Sequence, residues 1–218
     1  MISDSVPWKE DLYRVAERLD RRGTQSRWTE RTAFLVERDV MVGCFAIRKL
    51  LDTPGKISDE CRGESMSVLS FPLAGKAPDF WDAYDFADFY GRDGEGPTRE
   101  SIGLRQLCDR VIHSLIFGLE QGEDPPHYLG GVFVASDKTS KTSLTLISLS
   151  ELVRVFRIVA DDEVVSLHMH RDESGRRKVA RASREHDSAA LAEGERLREE
   201  YLRSQLSSDD VNTCVPDQ

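Results

Sequence analysis

The chain has 218 residues, enough for one large domain or two small ones, with 39% apolar and 32% charged residues. The first fraction is low and the second high for a globular protein, so the core must be concentrated in a few segments. A net charge of −9 excludes bulk attraction to nucleic acid or to an anionic membrane, and leaves only a local basic patch for such partners.

The opening residues, MISDSVPWKEDLYRV, carry acids early and no long apolar run, so no secretory signal is expected. The first helix is predicted from about Lys9 to Arg22, with Leu12, Val15, Ala16 and Leu19 on one face and Gly23 as its stop. A second, more apolar helix is predicted from about Trp28 to Leu51. Phe34, Val36, Val40, Met41, Cys44, Phe45, Ile47 and Leu51 spread around it, which marks a central helix. Glu37, Arg38 and Asp39 interrupt that surface. A strip facing water is the expectation; the alternative pairs Arg38 and one acid with another helix. Thr53-Pro54-Gly55 ends the segment.

Residues 56–78 read as a surface loop with a short extended piece at SVLSFPL. DFWDAYDFADFYGRD reads as an acidic, aromatic helix packed through Phe80 and Tyr84. Its acids, Asp79, Asp82, Asp85 and Asp88, drift around a helix at steps of three and do not converge on a metal. GRDGEGP is a loop. Thr98 then caps a long helix in which Leu104, Leu107, Cys108, Val111, Ile112, Leu115 and Leu119 recur at helical spacing.

After Pro125-Pro126 the period changes to alternation. YLGGVFVAS and SLTLIS flank the turn DKTSKT as a hairpin. Ser148 and Glu151 have capping-box spacing before a short helix, SELVRVFRIVA. VVSLHMH and RKVARA form a second hairpin, and a charged helix from about Ser183 to Leu206, carrying Leu191, Leu197, Tyr201 and Leu202, precedes a frayed tail. The order predicts an α+β protein. An N-terminal helical bundle (1–122) is followed by a small antiparallel β-sheet with a short helix (ββαββ, 128–182), then a C-terminal helix and tail (183–218). One compact domain with an appended helix is expected.

No window approaches the about 18 apolar residues of a membrane span, so no membrane partner is expected. Cys44, Cys61, Cys108 and Cys214 form no CxxC pair and have no histidine at zinc-finger spacing. Buried thiols and a cytoplasmic setting are the expectation. Phosphate loops, dinucleotide fingerprints, GxSxG and HExxH are all absent, and no cofactor is expected.

One constellation lies in the predicted long helix. Gln106, Asp109, Arg110 and His113 share a sector opposite Leu104, Leu107 and Leu115. Asp109 and His113 stand at i and i+4, so the carboxylate could orient the imidazole while an arginine meets phosphate. This helix resembles that of HEPN proteins, an all-α fold of many RNases in toxin and phage-defence systems. There an arginine and a polar residue are followed, after three residues, by a histidine. Asp109 and His113 match the polar and histidine positions, Cys108 stands in place of the arginine, and Arg105 or Arg110 are the available substitutes. The resemblance implies a homodimer, and either an RNase or, given the break at Cys108, a non-cleaving relative.

Two further features complete the candidates. His168 and His170 point to one face of a strand, a metal-binding spacing without an evident third ligand. Arg176, Arg177, Lys178 and Arg181 dominate the one strongly basic stretch of an acidic chain. The leading expectation is an interaction protein, a non-catalytic HEPN-like component of a toxin or phage-defence system with a protein partner or a second copy. The alternatives are a metal-independent RNase using His113 with Asp109 and Arg105 or Arg110, with RNA as partner, and a metal-binding role for His168 and His170.

Overall fold

A computed structural model describes residues 2–25, 27–79, 81–91, 96–121 and 128–209. Phe80, Pro125-Pro126, His127, Cys214, residues 92–95 of the GRDGEGP loop and the tail beyond 209 lie outside the described residues, as do the side chains of Asp82, Tyr84 and Leu202.

Helix α1 (Val6–Arg22) starts on a proline that suits a helix N-terminus and buries Leu12, Val15, Ala16 and Leu19. In α2 (Glu30–Asp52) the Thr29 hydroxyl accepts from the Thr32 N–H, and the sequence buries Val36, Val40, Cys44, Ile47, Leu50 and Leu51. The charged interruption is only partly a wet strip. Glu37 and Arg38 are exposed, but Asp39 is 3% exposed. Two nitrogens of Arg18 on α1 donate to its two oxygens at 3.0 Å each, and Arg38 adds a bond at 2.9 Å. A buried carboxylate is tolerated there because it is fully paired.

Beyond α2 the expected helical half gives way to a sheet. After the short α3 (Asp59–Arg62), β1 (Ser65–Pro72) takes up the extended piece expected at SVLSFPL and makes it a strand of the main sheet instead of part of a surface loop. β2 (Thr98–Gly103) occupies what was read as a helix start, and α4 runs only from Leu104 to Ile112. β3 (Ser114–Gln121) then takes the predicted second half of that helix. The expectation of a helical bundle followed by a small sheet is therefore overturned: the strands lie in the middle of the chain. The apolar period of α4 continues by coincidence through Leu115 and Leu119, while strand pairing decides the backbone. The acidic aromatic segment is a 3-10 stretch, Asp82–Asp88, broken at Asp85, in place of the expected α-helix.

β4 (Leu129–Ser136) and β5 (Ser143–Ser148) pair as the predicted hairpin, and Ser148 caps α5 (Leu149–Ala160) by accepting from the Glu151 N–H. The five-stranded antiparallel sheet has the order β2-β1-β5-β4-β3. Its side chains alternate as a period of two demands. Met66, Val68, Ile102, Val132, Val134 and Ile147 meet the helices on one face. On the other, Ile116, Ala135 and Leu144 meet Phe71, Phe86, Phe89, Tyr90 and Phe133 from the sheet and the 73–91 strap. Phe86 lies over Gly118, where a Cβ would come within 2.5 Å of its ring. α1 packs on α5 and α2 on α4. Gly43 of α2 lets Phe156 of α5 approach to within 2.3 Å of where a Cβ would stand.

β6 (Ser166–Arg171) and β7 (Arg177–Ser183) form a separate two-stranded ribbon, the predicted second hairpin, followed by α6 (Ser188–Asp209). Every α6 residue of described burial is exposed. No helix is long and apolar enough to cross a membrane among the described residues.

Asp162, fully buried at its side chain, fastens the ribbon to the body. It accepts from the Ser58 N–H at 2.8 Å, the Ser58 hydroxyl at 2.6 Å and Arg184 Nε at 2.6 Å, with Lys9 Nζ at 3.9 Å. Asp162→Ala is expected to cost about 3–5 kcal/mol, because it strands a buried donor set. The measurement is a lower urea midpoint at unchanged slope. Asp11→Ala, on the exposed side of α1, is expected to stay within about 0.5 kcal/mol of the parent.

Candidate functional site

The predicted cluster sits beside a cavity of about 610 Å³ lined by Arg48, Gln106, Asp109, Arg110, His113 and the turn 136–139. α4 delivers Asp109 and Arg110 from its last turn, and His113 stands at its C-cap, where its N–H donates to the Asp109 carbonyl at 3.2 Å. His113 is exposed, and Asp109, Arg110 and His113 line the same cavity. Arg105 is not among the lining residues.

The charges around this cavity are already spent on one another. Arg105 meets Asp52 at 2.8 Å, Arg48 donates to Asp52 at 3.0 Å, and Arg48 also donates to Asp109. The chain Arg105–Asp52–Arg48–Asp109 thus ties the end of α2 to α4. The hydrogen bond from Arg48 holds the Asp52 carboxyl below the usual carboxylate range, assisted by Arg105. Arg110 is directed inward, with a side chain only 13% exposed. It grips Glu100 of β2 at 2.9 and 3.2 Å and the Thr145 hydroxyl of β5 at 2.8 Å. Gln106 accepts from the Gly103 N–H at 3.2 Å and so caps its own helix.

His113 has no such support: among the described residues its imidazole makes no hydrogen bond. Asp109 faces Arg48 instead, so the ring lacks the partner that would fix its tautomer and orientation. Position 108, where the HEPN motif has arginine, is a core position. Cys108 is fully buried against Cys44 of α2. A hydrogen bond with Cys108, together with burial, pushes the Cys44 thiol well up. Arg48, Ser136, Asp137, Lys138 and Thr139 are the lining residues that the sequence reading missed. The Arg48–Asp52 spacing of i and i+4 and the polar turn DKTSKT were the available signals.

A second cavity of about 630 Å³ lies between the start of α1, Gly55-Lys56 and residues 160–164. Its most buried cation, Lys9, is lowered from its ordinary value by burial and is committed to Asp162. Cys61, nearby, is pushed up to about 12 by burial and the Asp162 charge, and is inert as a nucleophile.

The β6–β7 ribbon is the other candidate. Its root is held by the body. The Ala182 N–H donates to Asp59 at 3.0 Å, the Ser183 hydroxyl to Glu60 at 3.2 Å, and Leu167 covers Gly55. Beyond that root, His170, Arg171, Arg176, Arg177, Lys178 and Arg181 are exposed. Arg176, Arg177 and Arg181 make no ion pair with a described residue, whereas Lys178 meets Asp172 at 3.2 Å. His168 and His170 do share a face, but His168 Nε2 pairs with Asp187 at 2.9 Å. Among the described residues no three His, Cys, Asp or Glu side chains are grouped to hold a metal ion.

No family model, curated protein or solved structure matches the chain.

Asp52 supplies a pH test of the charge chain. Its lowered carboxyl contributes stability that is full above the ordinary carboxylate range and is lost as pH falls through the lowered value. Arg48→Ala is expected to raise the Asp52 titration midpoint toward its ordinary value, read by NMR, and to flatten the acid limb of the stability curve. An unchanged midpoint would remove Arg48 from that role.

Proposed function

We propose that the protein is a non-catalytic interaction protein that captures a polyanionic partner through the β6–β7 ribbon. One contrast carries this reading. The arginines of the central cluster are neutralised by carboxylates, while Arg176, Arg177 and Arg181 of the ribbon are exposed without an ion-pair partner among the described residues. A phosphate entering the cavity at His113 would meet a cation only by breaking an existing pair at Arg48, or through the turn lysine Lys138. On the ribbon it meets charge that is already presented to solvent.

The break of the HEPN-like motif at Cys108 supports a non-cleaving role, since a core position has no room for a guanidinium. The homodimer comes from that resemblance alone and adds nothing to the ribbon, whose chemistry one copy carries in full. RNA belongs to the polyanion class that this reading admits. A cytoplasmic setting agrees with free, buried Cys44, Cys61 and Cys108.

The rival reading is an RNase in which His113 acts with Asp109, and Arg48 replaces the expected arginine. Structured and single-stranded RNA incubated with the parent protein and with His113→Ala distinguishes the two. No cleavage by either protein is expected, and cleavage that His113→Ala abolishes would establish the rival. Retention on immobilised heparin, a generic polyanion, tests the positive claim. The parent is expected to elute at higher salt than Arg177→Ala/Lys178→Ala/Arg181→Ala, and equal elution would refute capture by the ribbon.

A further inference from the structure

The register of the ribbon holds a feature that the sequence does not show. One of its six rungs sets two permanent cations directly opposite one another, Arg171 with Arg177, and two more set a histidine against a cation, His168 with Arg181 and His170 with Lys178. Like charges facing each other across a strand pair weaken a sheet. Residues 166–184 carry six Lys and Arg against two Asp and Glu, in a chain whose net charge is −9. Local compensation is incomplete. Lys178 meets Asp172, His168 meets Asp187, and Arg171 bonds the Gly175 carbonyl at 2.7 Å. Arg177 has no ion pair with a described residue, and Arg181 has only the Coulombic attraction of Glu60 at the ribbon's root. A partner carrying dense negative charge relieves this repulsion.

The distribution of the charge narrows the partner. Directly paired residues project to the same face, so His170, Lys178 and Arg181 lie on one side of the ribbon and Arg171 and Arg177 on the other. Cations on both faces suit a groove whose two walls are charged. A flat acidic protein surface would use one face and leave the other unpaired. A membrane would need a broad apolar face, but Ala182 is buried and the ribbon offers only Leu167, 46% exposed beside Gly55, and Met169, 52% exposed, against its cations. Four of the five distal cations, Arg171, Arg176, Arg177 and Arg181, are arginines, whose planar fork matches phosphate oxygens.

We propose that the ribbon enters the major groove of duplex DNA and sets its guanidinium groups on the phosphates of both walls. Standing on edge with one face toward each wall, the ribbon is as thick as the ~10 Å face-to-face spacing of sheets, which fits a groove about 12 Å wide. Six rungs extend about 20 Å, long enough to follow the groove over several base pairs. The deep, narrow major groove of duplex RNA excludes the ribbon. The acidic body repels DNA and confines contact to the ribbon. This inference rests on the ribbon being the polyanion-capturing element, as proposed above.

The test is fluorescence anisotropy on the full chain with labelled duplex DNA, duplex RNA and single-stranded DNA, each of about 20 nucleotides or base pairs, between about 50 and about 200 mM salt. Duplex DNA is expected to bind about tenfold more tightly than either alternative, with a log–log salt slope near −4. Arg177→Ala/Lys178→Ala/Arg181→Ala is expected to lose at least about tenfold in affinity, its slope becoming shallower by about 3. Arg177→Lys keeps its charge, so its slope is expected to hold while its affinity falls. Should the triple variant fail to fold by circular dichroism, Arg177→Gln and Arg181→Gln carry the test, each expected to make the slope about 1 shallower. Equal binding of single strands or duplex RNA would overturn the groove assignment. Ribbon-dependent retention on heparin without duplex DNA binding would overturn this inference and leave capture by the ribbon standing. Ribbon-dependent binding to phosphatidylserine vesicles without DNA binding would do the same. Loss of both DNA and heparin binding in the parent would overturn both.

Discussion

The buried carboxylate of Asp162 is the constraint on which the placement of the β6–β7 ribbon depends. It lies two residues beyond α5 and accepts from the backbone and hydroxyl of Ser58, which itself caps α3 by accepting from the Cys61 N–H. Arg184, one residue past β7, donates to the same oxygen as the Ser58 hydroxyl. Lys9 of α1 donates to the Asp162 backbone carbonyl. One side chain therefore fixes the exit of a core helix, the start of α3 and the root of the ribbon. Such a group is tolerable in a dry interior only because its lone pairs are occupied. The ribbon gains a fixed base without needing a large hydrophobic interface of its own.

The same economy governs charge elsewhere. Asp39 is held by Arg18 and Arg38, Arg110 by Glu100 and Thr145, and Glu151 by Arg154 while it accepts from the Ser67 N–H. These pairs link helices to one another and to the sheet, so removing either partner exposes a cost that the pair hides. Arg18, Arg110 and Arg154 of the body act as structural fasteners, whereas Arg176, Arg177 and Arg181 of the ribbon face solvent. A site reading based on residue type alone cannot separate the two, because the guanidinium groups of Arg110 and Arg177 differ only in what surrounds them.

Local patterns were legible in the sequence. The apolar stripe of α1, the β4–β5 hairpin, the Ser148 cap and the β6–β7 ribbon all follow from periods and turn residues within a short span. The failure lay in residues 98–121, where helical spacing runs on through strand β3 and conceals two boundaries. Gly103 and His113 mark them, but a glycine and a histidine are weak signals without the pairing of β2 to β1 and β3 to β4. Asp109 and His113 were found because i and i+4 is a local relation. Arg48 was not, since 61 residues separate it from Asp109. The opposed cations of the ribbon needed the register, including its irregularity at His168 and Met169, which shifts every partner beyond it by one.

The strand order has a consequence for how the chain comes into being. β1 lies between β2 and β5, and α1 packs against α5, so both the sheet and the helical layer join early residues to late ones. Contacts of such separation close slowly, because the loop entropy is spent before they form. During synthesis α2 gains its partner once α4 emerges, but the apolar face of α1 waits far longer for α5. Until residue 160 has left the ribosome, the nascent chain exposes the part of α1 that α5 covers, and its yield in the cell depends on what shields that surface in the interval.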